Sequence, residues 1–255
     1  MSGIVFYDLD SQRTGVCWSP NTLKTRYALN FKRLNYTTKW IEYPDIENLC
    51  KEIGCPPSRN KPDGRPHYTL PLIHDLDTGA VITDSFKIAV YLDKTYPAPA
   101  HPALTGMPPE ANGFALIGAF EEAMQPIVAT LYPFTIPSSQ AILNPPSGEY
   151  FRATREVTFG MTLEELFPTP GSEREATLWK KVYDGFTTVD GWLRAGVDGD
   201  KAQFFGGKQP NYADLFVASY LVWIKTVLKE DKWEDVKGWH GGRWARFLDA
   251  MKEYE

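Results

Sequence analysis

A chain of 255 residues that is 43% hydrophobic and 14% aromatic can bury a true core in one large or two ordinary domains, which excludes disorder. Its net charge of −5, with opposite charges interspersed, argues against a nucleic-acid partner or an anionic membrane surface. The sequence "MSGIVFYDLDSQRTG" has no basic n-region, no run of about 18 apolar residues occurs, and the cysteines are only Cys17, Cys50 and Cys55, so a reduced, cytoplasmic context without a membrane span is expected.

"IVFYDLD" (4–10) is a short β-prone apolar run and reads as a strand. Ser19 and Pro20 then open a helix to about Lys32, as a preferred N-cap and a preferred first helical residue. "YTTKWIEY" (36–43) alternates and is β-branched and aromatic, a second strand. "PDIENLCKEIG" is a short helix, and "PPSRNKPDGRPH" (56–67) reads as a loop without regular structure. "YTLPLIHD" (68–75) and "AVITD" (80–84) form an antiparallel pair. "DSFKIAVYLDKTYP" then sets Phe86, Ala89, Val90 and Leu92 on one helical face. The order is βαβ followed by ββα.

The proline-rich stretch 98–109 reads as a linker, dividing the chain into 1–97, 98–109 and 110–255. Beyond it strand signals fade. A long apolar helix from Pro109 to about Leu131 carries Pro126, where a kink is expected. "YPFTIPSSQAILNPPSG" (132–148) interrupts it, and 149–167 are helical again. A capping box at Ser172 and Glu175 opens a helix with Trp179, Val182, Tyr183, Phe186, Val189 and Leu193 at helical spacing. Asn211 and Asp214 cap a further buried helix, and a last one runs from about Gly242 to Lys252. The second half is all-α.

Cys50 and Cys55 lack a second Cys or His pair at zinc spacing, and neither GxGxxG nor a Walker pattern is present. No metal and no nucleotide cofactor is expected. The chemistry concentrates at Ser19, a hydroxyl where the helix dipole is positive. Cys17, two residues upstream and off the helix end, is the rival nucleophile.

Four motifs in register with these elements carry a resemblance: "SPNTLKTRYAL" at the first helix, "TLPLI" at 69–73, "DS" at 84–85 and "NYADLFVASYL" at 211–221. Together they resemble the glutathione transferase superfamily. "CWSPNTLKTRYAL", the long "RNKPDGRPHYTLP" approach and the 132–148 stretch resemble its fungal FuA class and the bacterial lignin β-etherase-type enzymes. The resemblance implies a thioredoxin-like α+β N-terminal domain followed by an all-α domain, and a homodimer. It also implies glutathione as co-substrate and Ser19 as the hydroxyl that activates its thiolate, with Asn21 as a second donor. Pro71 is then the family's cis-proline, and Leu70 before it pairs with the cysteinyl backbone. Asp84 and Ser85 hold the γ-glutamyl end, with Asp where the family more often has Glu. Arg59, Lys61, Arg65 and His67 are alternatives for the glycyl carboxylate.

Tyr132, Phe134 and Tyr150 are candidates for a hydrophobic acceptor site taking aromatic or phenolic molecules. The function implied is conjugation of, or thiol attack on, aromatic electrophiles, with binding of wood-derived polyphenols. The alternative is a ligandin-type binding protein with little catalysis.

Overall fold

The computed structural model describes residues 3–61, 63–108 and 111–255. Pro109 and Glu110, where the expected linker ends and the helical half begins, lie outside them. The N-terminal half folds as β1 (Ile4–Leu9), α1 (Pro20–Phe31), β2 (Tyr36–Ile41), α2 (Ile46–Glu52), β3 (Arg59–Asn60), β4 (Pro66–His67), β5 (Leu72–Asp75), β6 (Ala80–Thr83) and α3 (Ser85–Thr95). The sheet order is β2-β1-β5-β6, with β1 parallel to β2 and the other pairs antiparallel. The crossover from β1 to β2 through α1 is what a parallel neighbour requires. Asp8 is fully buried on central β1 because Arg26 of α1 donates to its carboxylate at 3.1 Å.

The stretch 56–67 is not wholly irregular. Arg59 and Asn60 pair antiparallel with His67 and Pro66, because the turn-forming Gly64, at φ +81°, folds the segment back on itself. On α3 the buried face is Ser85, Ile88, Ala89 and Leu92, whereas Val90 is exposed. The 98–108 segment is docked. Leu104 is fully buried, its N–H donates to Asp93 at 2.9 Å, and its carbonyl accepts from Tyr212 N at 2.7 Å.

The helical half comprises α4 (Gly113–Ala129), α5 (Tyr132–Gln140), α6 (Pro145–Phe159), α7 (Leu163–Leu166), α8 (Glu173–Arg194), α9 (Tyr212–Val227) and α10 (Glu230–Ala250). α4 continues through Pro126, and the chain turns by 78° at the break before α5. The 132–140 part of the expected interruption is helix. Pro133 sits in its first turn, where a missing N–H costs nothing, and the hydroxyls of Thr135, Ser138 and Ser139 donate to carbonyls four residues back.

Ser172 accepts from Glu175 N, but Glu175 reaches Gly171 N rather than Ser172, so only half the expected box forms. The box at α9 is complete. Asn211 Oδ1 accepts from Ala213 N at 2.9 Å, and Asp214 Oδ2 accepts from Asn211 N at 2.9 Å. α9 is buried almost all round and packs against α1, joining the two halves. α10 begins at Glu230, well before the expected Gly242. It breaks over Trp239–Gly242, where His240, Gly241 and Gly242 all have positive φ, and resumes. Its first half, "EDKWEDVKG", buries only Trp233 and Val236 and has no apolar stripe to signal it. No single helix among the described residues is long and apolar enough to cross a membrane.

Candidate functional site

α1 begins at the C-terminal side of β1, and there a cleft of about 500 Å³ opens between the sheet and the helical half. Glu42, just after β2, fixes its far wall. Its carboxylate accepts from Asn144 Nδ2 at 2.7 Å and from the Ser147 hydroxyl, which in turn accepts from Tyr43 N at 2.8 Å. Gln12 donates to the Leu143 carbonyl at 2.7 Å. These bonds hold the start of α6 against the β1–α1 and β2–α2 connections.

Ser19 and Asn21 both line the cleft. Ser19 has N-cap backbone geometry (φ −77°, ψ 130°), and its carbonyl accepts from Leu23 N at 2.9 Å. Its hydroxyl makes no capping hydrogen bond with the helix it opens, contrary to the expected dual role. The hydroxyl is therefore not engaged by the first turn. Trp18 also lines the cleft, and its buried indole N–H has no protein partner among the described residues.

Leu70 lines the cleft, and the Leu70–Pro71 peptide is cis. Neither the amide nor the carbonyl of Leu70 is hydrogen-bonded to another described residue, whereas the carbonyls of Thr69 and Pro71 both accept from the Thr83 hydroxyl. Asp84, at φ +80°, caps α3 by accepting from Phe86 N and Lys87 N at 3.1 and 3.0 Å. Asp84 and Ser85 are not part of the cleft lining. Lys24 does line it, its ammonium buried 3.7 Å from Glu121 and 4.8 Å from the Phe216 ring. Burial pulls the Lys24 pKa down and pushes Glu121 up, and the Asp84 charge is felt by both. Lys24 lies in the first-helix motif, but its pairing with Glu121, which no motif marks, was not read from the sequence.

Of the four loop alternatives, Arg59, Lys61 and His67 line the cleft, while Arg65 is held outside it by Asp63 at 2.6 Å. Burial lowers the His67 pKa first, and the cations of Arg59, Lys61 and Arg155 lower it further, against the Glu47 charge. The cleft is also lined by the aromatics Tyr132, Tyr150, Phe151, Phe159, Tyr220 and Trp223. Phe134 does not reach it. It is buried against Phe167 and Trp179, the usual fate of an aromatic at helical spacing. Tyr43 stacks on Tyr150 with ring centroids 6.1 Å apart, and burial pushes its phenol up to about 12.

Cys17 does not face this cleft. It lines a second cavity of about 380 Å³, with Sγ 3.4 Å from Thr22 Oγ1, and burial together with the Asp8 charge pushes its thiol pKa well up. Such a thiol is a poor nucleophile. Among the described residues no cluster of three metal-ligating side chains exists.

Residues 18–95 match the family described as "Glutathione S-transferase, N-terminal domain", and residues 115–254 match "Glutathione S-transferase, C-terminal domain". The chain is 33% identical to the glutathione S-transferase-like protein ustS of Aspergillus flavus, over 99% of this chain and 91% of that one. It superposes with a TM-score of 0.91 on the glutathione S-transferase CsGST63524 of Ceriporiopsis subvermispora, solved in complex with glutathione. The two are 46% identical, covering 100% of this chain and 98% of the other. Glutathione transferase GSTFuA3 of Phanerochaete chrysosporium gives a TM-score of 0.89 at 38% identity, with 100% and 98% covered.

Proposed function

This chain belongs to the glutathione S-transferase family, and from that premise we propose that it joins glutathione to aromatic electrophiles, using the Ser19 hydroxyl to hold the thiolate. The observation that carries the reading is the unengaged hydroxyl of Ser19 at a helix N-terminus inside the cleft. A free thiol titrates near about 8.5 and is mostly protonated at pH 7. A hydroxyl donating to the thiolate contributes about 1.5–3 kcal/mol, or roughly one to two pKa units. Asn21 is the second donor.

The unpaired amide and carbonyl of Leu70 are free to pair with the cysteinyl backbone. Asp84 and Ser85, beside Lys24, receive the γ-glutamyl end, and Arg59, Lys61 and His67 stand where the glycyl carboxylate extends. Planar phenolic molecules lie against the aromatic lining, at Tyr132 and Tyr150. The division at 1–97, 98–109 and 110–255 belongs to the same reading, as do a cytoplasmic setting and a homodimer, for which light scattering should give twice the mass of one chain.

Calorimetry with glutathione and with a flavonoid tests the two halves of the site. Both should bind together. A flavonoid that displaces glutathione, or no glutathione binding at all, contradicts this assignment.

A further inference from the structure

On α6, Arg152 and Arg155 are only three residues apart but differ in their partners. Arg152 is paired with Glu156 at 2.9 Å and Glu164 at 2.8 Å. Arg155 has no carboxylate partner among the described residues; it donates to Thr154 Oγ1 at 3.2 Å and interacts with the Tyr43 phenol, both neutral groups. Its guanidinium is half-buried in the cleft wall, 4.4 Å from the Phe151 ring centroid and 6.0 Å from that of Tyr43. Cation–π contact holds the group in place without neutralising it.

Charge around it is unbalanced. Arg59, Lys61 and Arg155 all act on His67, and none of the three forms a salt bridge among the described residues. Among the described residues the one carboxylate lining the cleft is Glu47, which is bound to Lys51 at 2.7 Å and is exposed. Arg59 and Lys61 lie on the β3–β4 side, where the glycyl carboxylate is expected. Arg155 reaches in from the helical half, beside the stacked Tyr43 and Tyr150. A planar ring lying along those aromatics would bring its own substituent to the guanidinium fork, whose N–H donors match a carboxylate in bidentate geometry.

We infer that Arg155 is a specificity-determining residue that selects aromatic electrophiles carrying a carboxylate. This rests on the transferase reading above. In the reaction, the glutathione sulfur forms a bond to the electrophilic ring carbon, the leaving group departs with its electron pair, and the thiol proton goes to solvent. Arg155 takes no part in that exchange and holds the acid group of the ring.

Two aryl chlorides of similar size separate the terms: neutral 1-chloro-2,4-dinitrobenzene and anionic 4-chloro-3,5-dinitrobenzoate. Arg155→Met should lower the ratio of kcat/KM for the benzoate over that for the neutral chloride by about tenfold or more, through the KM of the benzoate. Arg155→Lys, which keeps the charge but not the fork, should recover part of that ratio. Equal losses on both chlorides, or a change confined to the KM for glutathione, would overturn the assignment. A wild-type protein that turns over neither chloride with glutathione would instead overturn the transferase reading on which it rests.

Discussion

Ser19 and Cys17 are two residues apart yet face different cavities. Ser19 opens α1 into the large cleft, while the Cys17 thiol is buried beside Thr22 and lines a separate cavity. Cys17→Ala should therefore leave the rate of glutathione conjugation within about twofold, and the native thiol should react slowly with iodoacetamide. A Cys17→Ala protein that is inactive but folded would return the nucleophile's role to the thiol.

Asp214 accepts from three backbone N–H groups, those of Asn211, Phe205 and Gly206, at 2.8–3.0 Å. It ties the start of α9 to the loop before it. Asp214→Ala leaves these buried donors unpaired and should cost about 2–3 kcal/mol of stability. Denaturant unfolding checks this, and a loss under about 0.5 kcal/mol would mean the box is dispensable.

His240 sits in the break of α10, stacked on Tyr183, with Nδ1 accepting from Trp244 Nε1 at 2.9 Å. Burial holds its pKa below the ordinary 6.5, with the Arg194 and Arg243 charges adding to this and Asp190 opposing it. The unfolded chain thus takes the proton first as pH falls. The stabilising contribution is complete above about 6.5 and is lost as pH falls through the lower folded value. His240→Asn, which tolerates the positive φ, should flatten the fall in Tm below pH 6.5. Superimposable Tm–pH profiles for the two proteins would contradict this.

The N-terminal half was largely legible because its elements are short, well punctuated and carried by local signals: Pro20, the alternation of 36–41, and Asp84 as a cap. What was not legible has physical causes. Pro133 and Pro137 read as breakers, but Pro133 lies in the first turn of α5, where a missing N–H costs nothing, and the helix runs on through Pro137. The β3–β4 ribbon is two residues per strand, too short for any periodicity. Val90 sits at a helical spacing that matches the core, yet α3 turns it to solvent. Ser19, Asn21 and Leu70, singled out by motifs at the first helix and before Pro71, line the cleft, and their roles in it belong to the proposed function. Lys24 lies inside the first-helix motif, but its partner Glu121 on α4, and Arg155 on α6, carry no short-range signature.

The central claim is that Ser19 stabilises the glutathione thiolate, and ultraviolet titration of enzyme-bound glutathione tests it most directly. With the wild type, thiolate absorbance should appear one to two pH units below that of free glutathione, and Ser19→Ala should return the midpoint close to the free value of about 8.5 while conjugation falls about tenfold or more. An unshifted midpoint in the wild type, or an equally lowered one in Ser19→Ala, would contradict the account.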